Sequence, residues 1–141
     1  MWFRYDLRIE DNEAFIEASK YSNCIPIFIM DKYYLDANLT SPFHFSFLYD
    51  SLINLNENLK KYNASLNFFN GPTIEIIRDL NHKYKIDTIF SNRVFKTSLF
   101  NSLDEKLVNF LNSANINWVQ KDQFGVQLNK RVRGRWSTNW H

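Results

Sequence analysis

Trp2-Phe3-Arg4-Tyr5-Asp6-Leu7-Arg8-Ile9-Glu10-Asp11-Asn12 is the stretch that decides the fold. Two large apolar residues come first, and five charged residues crowd into positions 4 to 11. A hydrophobic pair that turns at once into a charged loop is the pattern of a buried strand leaving its sheet. Asp11 or Asn12 then offers an N-cap for a short helix over 11–21, where Ala14, Phe15 and Ala18 share one face and Glu13 suits the N-terminal dipole. In an open parallel sheet, the turn from a strand's carboxyl end into a helix is where ligands sit. The strand over 1–4 falls short of the about five residues that a strand usually has. Either it is very short or residues upstream are missing.

Working outward, the run Cys24–Asp31 is nearly all apolar and ends in a carboxylate, the look of a strand buried on both faces. Pro26 belongs at its beginning, because proline cannot donate to a ladder. A connector over 32–42 carries Asp36, Asn38, Ser41 and Pro42. The longest helix covers about 43–62, with Leu48, Leu52, Leu55, Leu59 and Tyr62 forming an apolar stripe at alternating steps of four and three. Ser65–Phe69 is a third strand, stopped by Asn70-Gly71-Pro72. Thr73 caps a helix over 74–84 in which Ile74, Ile77, Leu80 and Tyr84 recur at helical spacing. Asp87–Ser91 is a fourth strand, with Asn92 and Arg93 just past its end. Ser102–Glu105 fits a capping box for a helix through about Ala114, whose start could also lie a turn earlier near Ser98. Ile116–Val119 is a fifth strand. Strands alternating with helices, joined by long right-handed crossovers, make an α/β doubly wound three-layer sandwich with a parallel sheet. The domain spans 1–122, and 123–141 is a basic, aromatic tail.

Composition narrows the function. The chain has 141 residues, 45% of them hydrophobic and 23% charged, as expected of one globular domain. A net charge of +2 is too small to argue for nucleic-acid binding. The single cysteine, Cys24, excludes an internal disulfide and reads as a buried, inert thiol in a strand. No apolar run reaches the ~18 residues of a membrane span and no signal peptide is visible, so the expectation is a cytoplasmic protein without a membrane partner.

The first glycine is Gly71, so neither GxGxxG nor a P-loop occupies the first strand-helix turn, which argues against a dehydrogenase or a kinase. There is no GxSxG elbow, and His44, His82 and His141 have no metal-ligand spacing. His82 reads as a surface residue late in a helix, and His44 as structural. Asp6 and Asp31 both end strands. They either face one crevice, or Asp6 simply pairs with Arg4 or Arg8. Asn92 and Arg93 line the same crevice or form an ordinary polar loop. In the tail, Lys130, Arg131, Arg133 and Arg135 interleave with Trp136 and Trp140. Such residues contact phosphates and stack on bases, but the run is short, and a solvated linker with two docked tryptophans is the preferred reading.

WFRYDLRIEDN resembles the opening signature WFRxDLRxxDN of the DNA photolyase/cryptochrome family. IFIMD is similar to that family's second strand, FLYDSLINLNENLKKYNASL to its SLxxLxxxLxxxGxxL helix, and TIFSNRVF to its strand ending in an Asn-Arg-x-Tyr turn. NGPTIEIIRDL and the tail FGV…GRWSTNW resemble two further family segments. The resemblance implies the family's N-terminal Rossmann-like domain, with a five-stranded parallel sheet in the order 3-2-1-4-5. A helical domain that carries FAD and meets DNA would follow, and it is missing from this chain.

In the family's photolyases, light-excited reduced FAD splits pyrimidine dimers, and the α/β domain often holds an antenna chromophore of folate or deazaflavin/flavin type. Tyr5, Asp6, Met30 and Asp31 match positions near the deazaflavin-type pocket, and Asn92 and Arg93 adjoin it. Tyr5 stands where many members have Arg, and Phe95-Lys96-Thr97 replaces a frequent Tyr-Glu-Pro. The expectation is an antenna-binding domain of a photolyase, inactive alone and without catalytic or metal-binding residues. The alternatives are a fragment of a cryptochrome blue-light receptor and a stand-alone small-ligand or nucleotide-binding α/β domain.

Overall fold

The computed structural model describes residues 1–31, 41–94 and 98–122, with the backbone alone for 98–102. Asp36 and Asn38 of the connector, the turn Phe95-Lys96-Thr97 and the whole tail with its arginines and tryptophans lie outside the described residues.

Among the described residues nine elements alternate: β1 (Trp2–Phe3), α1 (Glu13–Ala18), β2 (Ile27–Met30), α2 (Pro42–Lys60), β3 (Asn67–Asn70), α3 (Thr73–Tyr84), β4 (Thr88–Asn92), α4 (Ser98–Ser113) and β5 (Asn117–Lys121). All pairing is parallel. β2 lies between β1 and β3, in register Trp2 to Ile27 and Phe28 to Phe68, and β4 pairs with β5 from Thr88–Asn117 to Asn92–Lys121. The ladders are thus three-stranded and two-stranded. β1 also lies beside β4, but no ladder joins them among the described residues. Two residues of β1 offer few backbone groups for a second partner.

The period-2 alternation of strand side chains builds two separate cores. On one face Trp2, Ile27, Ile29 and Ile89 pack with Ile77 and Leu80 of α3 and Leu107 and Leu111 of α4. On the other, Phe3 and Phe90 pack with Ala14 and Ala18 of α1 and Leu55 and Leu59 of α2. Helices α1 and α2 therefore cover one face and α3 and α4 the other, the doubly wound arrangement expected from the alternation. Small alanines bring α1 close to the strands, whereas α2 fills its share with fully buried leucines.

Helix ends show where local signals held. Asn12 is the N-cap of α1, its side chain accepting from the Phe15 N–H at 2.9 Å. Ser41 precedes α2 and its backbone N–H donates to His44 Nδ1 at 3.2 Å, which gives His44 a structural role. Gly71, with φ of 142°, turns the chain from β3 into α3 through a region only glycine enters freely. α2, α3 and α4 are followed by left-handed Asn63, Lys85 and Asn115 in place of glycine. Asparagine tolerates that conformation; lysine does so at a cost.

Four expectations need correction. Thr73 is not the cap of α3 but its first residue, with Pro72 at the N-cap. The Ser102 capping box lies inside α4, which starts at the earlier alternative, Ser98. Cys24 is half-buried and precedes β2 rather than sitting in it. The α2 stripe is uneven: Leu55 and Leu59 are fully buried, Leu48 and Leu52 half-buried, and Tyr62 is exposed beyond the helix end.

Candidate functional site

Parallel strands bring their carboxyl ends to one edge of the sheet. There the chain places Arg4-Tyr5-Asp6 after β1, Asp31 after β2, Gly71 after β3, Arg93 after β4 and Asp122 after β5. Three polar clusters form among them.

Asn92, the last residue of β4, is the hub of the first cluster. Its Nδ2 donates to Asp6 Oδ2 at 2.6 Å and to Asn12 Oδ1 at 2.8 Å, and its Oδ1 lies 3.4 Å from the Ala14 N–H donor. Asn12 Nδ2 in turn donates to the Arg8 carbonyl at 2.9 Å. Arg8 Nε sits 3.1 Å from Asp6 Oδ1. The exit loop of β1, the N-cap of α1 and the end of β4 are thereby tied in one knot. Asp6 pairs with Arg8, and Asn92 is a buried tie rather than a loop residue, which leaves its amide little capacity for a ligand.

Arg4 forms the second cluster. Only 6% exposed, it donates through Nη1 and Nη2 to Asp104 of α4 at 2.9 and 2.8 Å, a bidentate pair. Its guanidinium lies 4.7 Å from the Trp2 ring centre and 5.8 Å from that of Trp118, a cation-π arrangement. Trp118 Nε1 donates to Ser91 Oγ at 3.0 Å. This unit pins α4 to β1, β4 and β5.

Asp31 makes the third. Its Oδ2 accepts both the Thr73 N–H at 2.8 Å and the Thr73 hydroxyl at 2.7 Å. The carboxylate therefore caps α3 from the end of a different strand, where the helix dipole favours negative charge. Asp31 is 5% exposed, and among the described residues its buried Oδ1 has no hydrogen-bond partner. A buried acceptor left open is uncommon and points to a missing donor.

The predicted residues thus divide. Asp6 and Asn92 come together, while no described contact joins Asp6 to Asp31. Tyr5 is 37% exposed and Met30 half-buried. Arg93 is half-buried, its Nε 3.0 Å from Asp122 Oδ1 but outside hydrogen-bonding geometry. Sequence reasoning missed Asn12 as a partner of Asn92, and Asp104 and Thr73 as partners of Arg4 and Asp31. Asn12 and Thr73 each left a signal, as a candidate cap. Among the described residues no group of three His, Cys, Asp or Glu could hold a metal ion, and no helix is long and apolar enough to cross a membrane.

A doubly wound α/β domain with polar side chains gathered at the carboxyl ends of its strands belongs to the class that binds ligands at that edge. Comparison with known proteins narrows the class: the family model for DNA photolyase matches residues 1–125. The chain belongs to the DNA photolyase family and corresponds to its N-terminal α/β domain. It is similar to a (6-4)DNA photolyase of Arabidopsis thaliana, 32% identical over 99 residues, which cover 61% of this chain and 17% of that protein. A chloroplastic/mitochondrial cryptochrome DASH of Solanum lycopersicum is 30% identical over 100 residues, covering 66% of this chain and 17% of that one. Among solved structures, an archaeal photolyase from Sulfolobus tokodaii with two FAD molecules superposes with a TM-score of 0.75 at 30% identity, over 86% of this chain and 28% of that one. The chain spans under a third of the length of each of these relatives.

Proposed function

We propose that this chain is the light-gathering front half of a photolyase-type flavoprotein, binding an antenna chromophore of folate or deazaflavin/flavin type and leaving DNA repair to a helical FAD domain. In this reading residues 1–122 are the α/β domain and 123–141 begin the link to the helical partner. The two ladders run on as one sheet in the order 3-2-1-4-5, with β4 beside β1. DNA is met only through the partner, the isolated chain has no photolyase activity, and the whole works in the cytoplasm.

The observation that carries the reading is the buried Oδ1 of Asp31 at the ligand-binding edge, which has no hydrogen-bond partner among the described residues. Flavin, deazaflavin and pterin rings each carry an N–H donor that suits a buried carboxylate oxygen. Tyr5, from the neighbouring strand exit, offers an aromatic ring for stacking, and Met30 a polarizable neighbour. Asp6 and Asn92 shape the wall, and Arg93 adds a cation at its rim. The Sulfolobus protein, described with two FAD molecules and a novel light-harvesting cofactor, supports a flavin as the first ligand to try. The cryptochrome relative keeps a light-sensing parent as the alternative.

The test is titration of the purified chain with FMN, FAD, a deazaflavin and a folate, followed by quenching of ligand fluorescence. Saturable binding of one of them, weakened by Asp31→Asn, is expected. ATP binding without affinity for any flavin or pterin would favour a stand-alone nucleotide-binding domain. Dimer repair under near-UV light with FAD supplied to this chain alone would overturn the division of labour.

A further inference from the structure

The ladder partner of β3 is β2, and among the described residues no strand pairs with its other edge. The Asn67 N–H donates to the Pro26 carbonyl at 2.9 Å and the Gly71 N–H to the Met30 carbonyl at 3.0 Å, so Asn67, Phe69 and Gly71 turn their backbone groups toward β2. In a parallel ladder the residues between them turn theirs outward. Leu66 follows this rule: its N–H donates to Asn56 Oδ1 of α2 at 2.9 Å, away from β2. Phe68 and Asn70 present the next outward N–H and C=O groups.

The flank of this edge is apolar and uncharged. Phe68 is in register with Phe28, and its ring stacks on that of Phe28 at 5.9 Å, yet it is 52% exposed. Tyr49 and Ile53 precede Asn56 by about two turns and one turn of α2, on the side of the helix that Asn56 turns to the strand. They are 66% and 43% exposed. No charged residue occurs between Lys61 and Glu75. Natural sheets guard a free edge with lysine, proline or a bulge. β5 ends in Lys121, whereas β3 has no lysine or proline and pairs with β2 without a bulge.

We propose that the free edge of β3 is a self-association surface, on which a second copy of this chain adds its own β3 antiparallel and joins the two sheets across a two-fold axis. The alternation of the strand selects this occupant. A two-fold axis normal to the sheet sets each residue opposite one that faces the same side, so Phe68 meets Phe68 of the second copy and Leu66 meets Asn70. All of these turn their backbone groups outward. The two Phe68 residues exchange both of their hydrogen bonds, and each Asn70 N–H donates to the Leu66 carbonyl across the axis, about four bonds in all. The paired Phe68 rings lie on the side of the sheet that α2 covers, flanked by Tyr49 and Ile53 of both copies. Covering these groups removes roughly 500 Å² of surface per copy, about 1,000 Å² in total, the low end for a specific interface. The dimer is therefore weak, with a dissociation constant of ~10–100 μM.

The test is sedimentation of the 141-residue chain from ~10 μM to ~1 mM, with hydrogen exchange read at the Phe68 and Asn70 amides. Dimer should form across that range, and both amides should exchange at least about fivefold more slowly at its upper end. Phe68→Lys puts a charge beside the axis and should give a folded monomer throughout. Phe47→Lys removes a phenylalanine that is 74% exposed on the side of α2 opposite Asn56, and should leave the dimer intact. A parent that stays monomeric at ~1 mM would overturn the proposal, as would amide exchange that does not change with concentration, whatever the variants do. Protection of both amides at every concentration would mean that another part of the chain covers the edge, and a dimer lost equally in Phe47→Lys would put the contact on the outer side of α2; either result also overturns it. Chromophore binding at the carboxyl edge is independent of these results.

Discussion

Replacing Asp104 by alanine should destabilise the protein far more than a helix-surface change would. Arg4 would keep its place over Trp2 and Trp118 while losing two charge-assisted hydrogen bonds at 2.8 and 2.9 Å. Breaking a buried ion pair from one side costs ~3–5 kcal/mol. Asp104 is 23% exposed, so water softens that penalty. Alanine also returns ~0.5 kcal/mol of helix propensity. The expected loss is about 2 kcal/mol, or roughly 6–10 °C in thermal midpoint for a domain of this size. Urea unfolding followed by circular dichroism measures it, on Arg4→Met, Asp104→Ala and the double variant. Arg4→Met keeps an unbranched side chain over the two tryptophans, so the cycle isolates the ionic contact. A coupling of about 1.5 kcal/mol is expected. If the single effects add to within ~0.5 kcal/mol, the pair does not hold α4 to the sheet, and the reasoning fails.

Three further outcomes follow from the same structure. Asn92→Ala removes the donor shared by Asp6 and Asn12, so a loss of ~2–3 kcal/mol in urea unfolding is expected, with faster amide exchange at Phe15 and Ile16 of α1. Lys85→Gly relieves a left-handed lysine (φ 51°) at the end of α3 and should raise stability by ~0.5–1 kcal/mol, read from the denaturation midpoint. The Met1 amine has its pKa lowered from the usual 8.0, first by burial, with Cys24 opposing. Its charged form is therefore the disfavoured one when folded. Between the lowered value and 8.0 the unfolded chain binds more protons, so this group's contribution to stability grows as pH rises through that window and levels off above it. Acetylating the amine should abolish this part of the pH dependence.

Much of the architecture was legible because it depends on short-range regularity. A nearly continuous apolar run announced β2, and steps of three and four announced α2 and α3. Asn12 showed as a cap because capping reaches only three residues, to Phe15. The site was less legible because its contacts are long-range. Arg4 and Asp104 are 100 residues apart, Asp6 and Asn92 86, and Asp31 and Thr73 42. Ser102 and Glu105 fitted a capping pattern, and the pattern hid Asp104 between them as the partner of Arg4. Thr73 misled in a related way. A threonine at a helix start is normally read as the cap, but here it is the residue being capped, by a carboxylate arriving on β2. Exposure was equally hidden: Phe43 and Phe47 in the first turns of α2 are 86% and 74% exposed, although their spacing matches that of buried residues.

The three clusters at the carboxyl edge impose a particular choice of probe for ligand binding. Asp6 and Asn92 are bound into the framework, so substituting either would shift β1's exit loop and α1 together, and a loss of binding would not separate contact from collapse. Asp31 is different, because its two oxygens do different work. Oδ2 caps α3, whereas Oδ1 has no partner among the described residues. In Asp31→Asn the amide oxygen can still accept from the Thr73 N–H and hydroxyl, while the amide nitrogen turns the open acceptor into a donor. Part of the stabilising charge at the α3 N-terminus is lost, worth ~0.3–1 kcal/mol. The fold should therefore survive with only a small drop in midpoint, while a chromophore that presents an N–H to this oxygen would meet a second N–H and lose affinity about tenfold or more. A variant that binds as tightly as the parent would place the ligand elsewhere along the edge, and one that unfolds would mean that the charge, rather than the hydrogen bonds, holds α3 to β2.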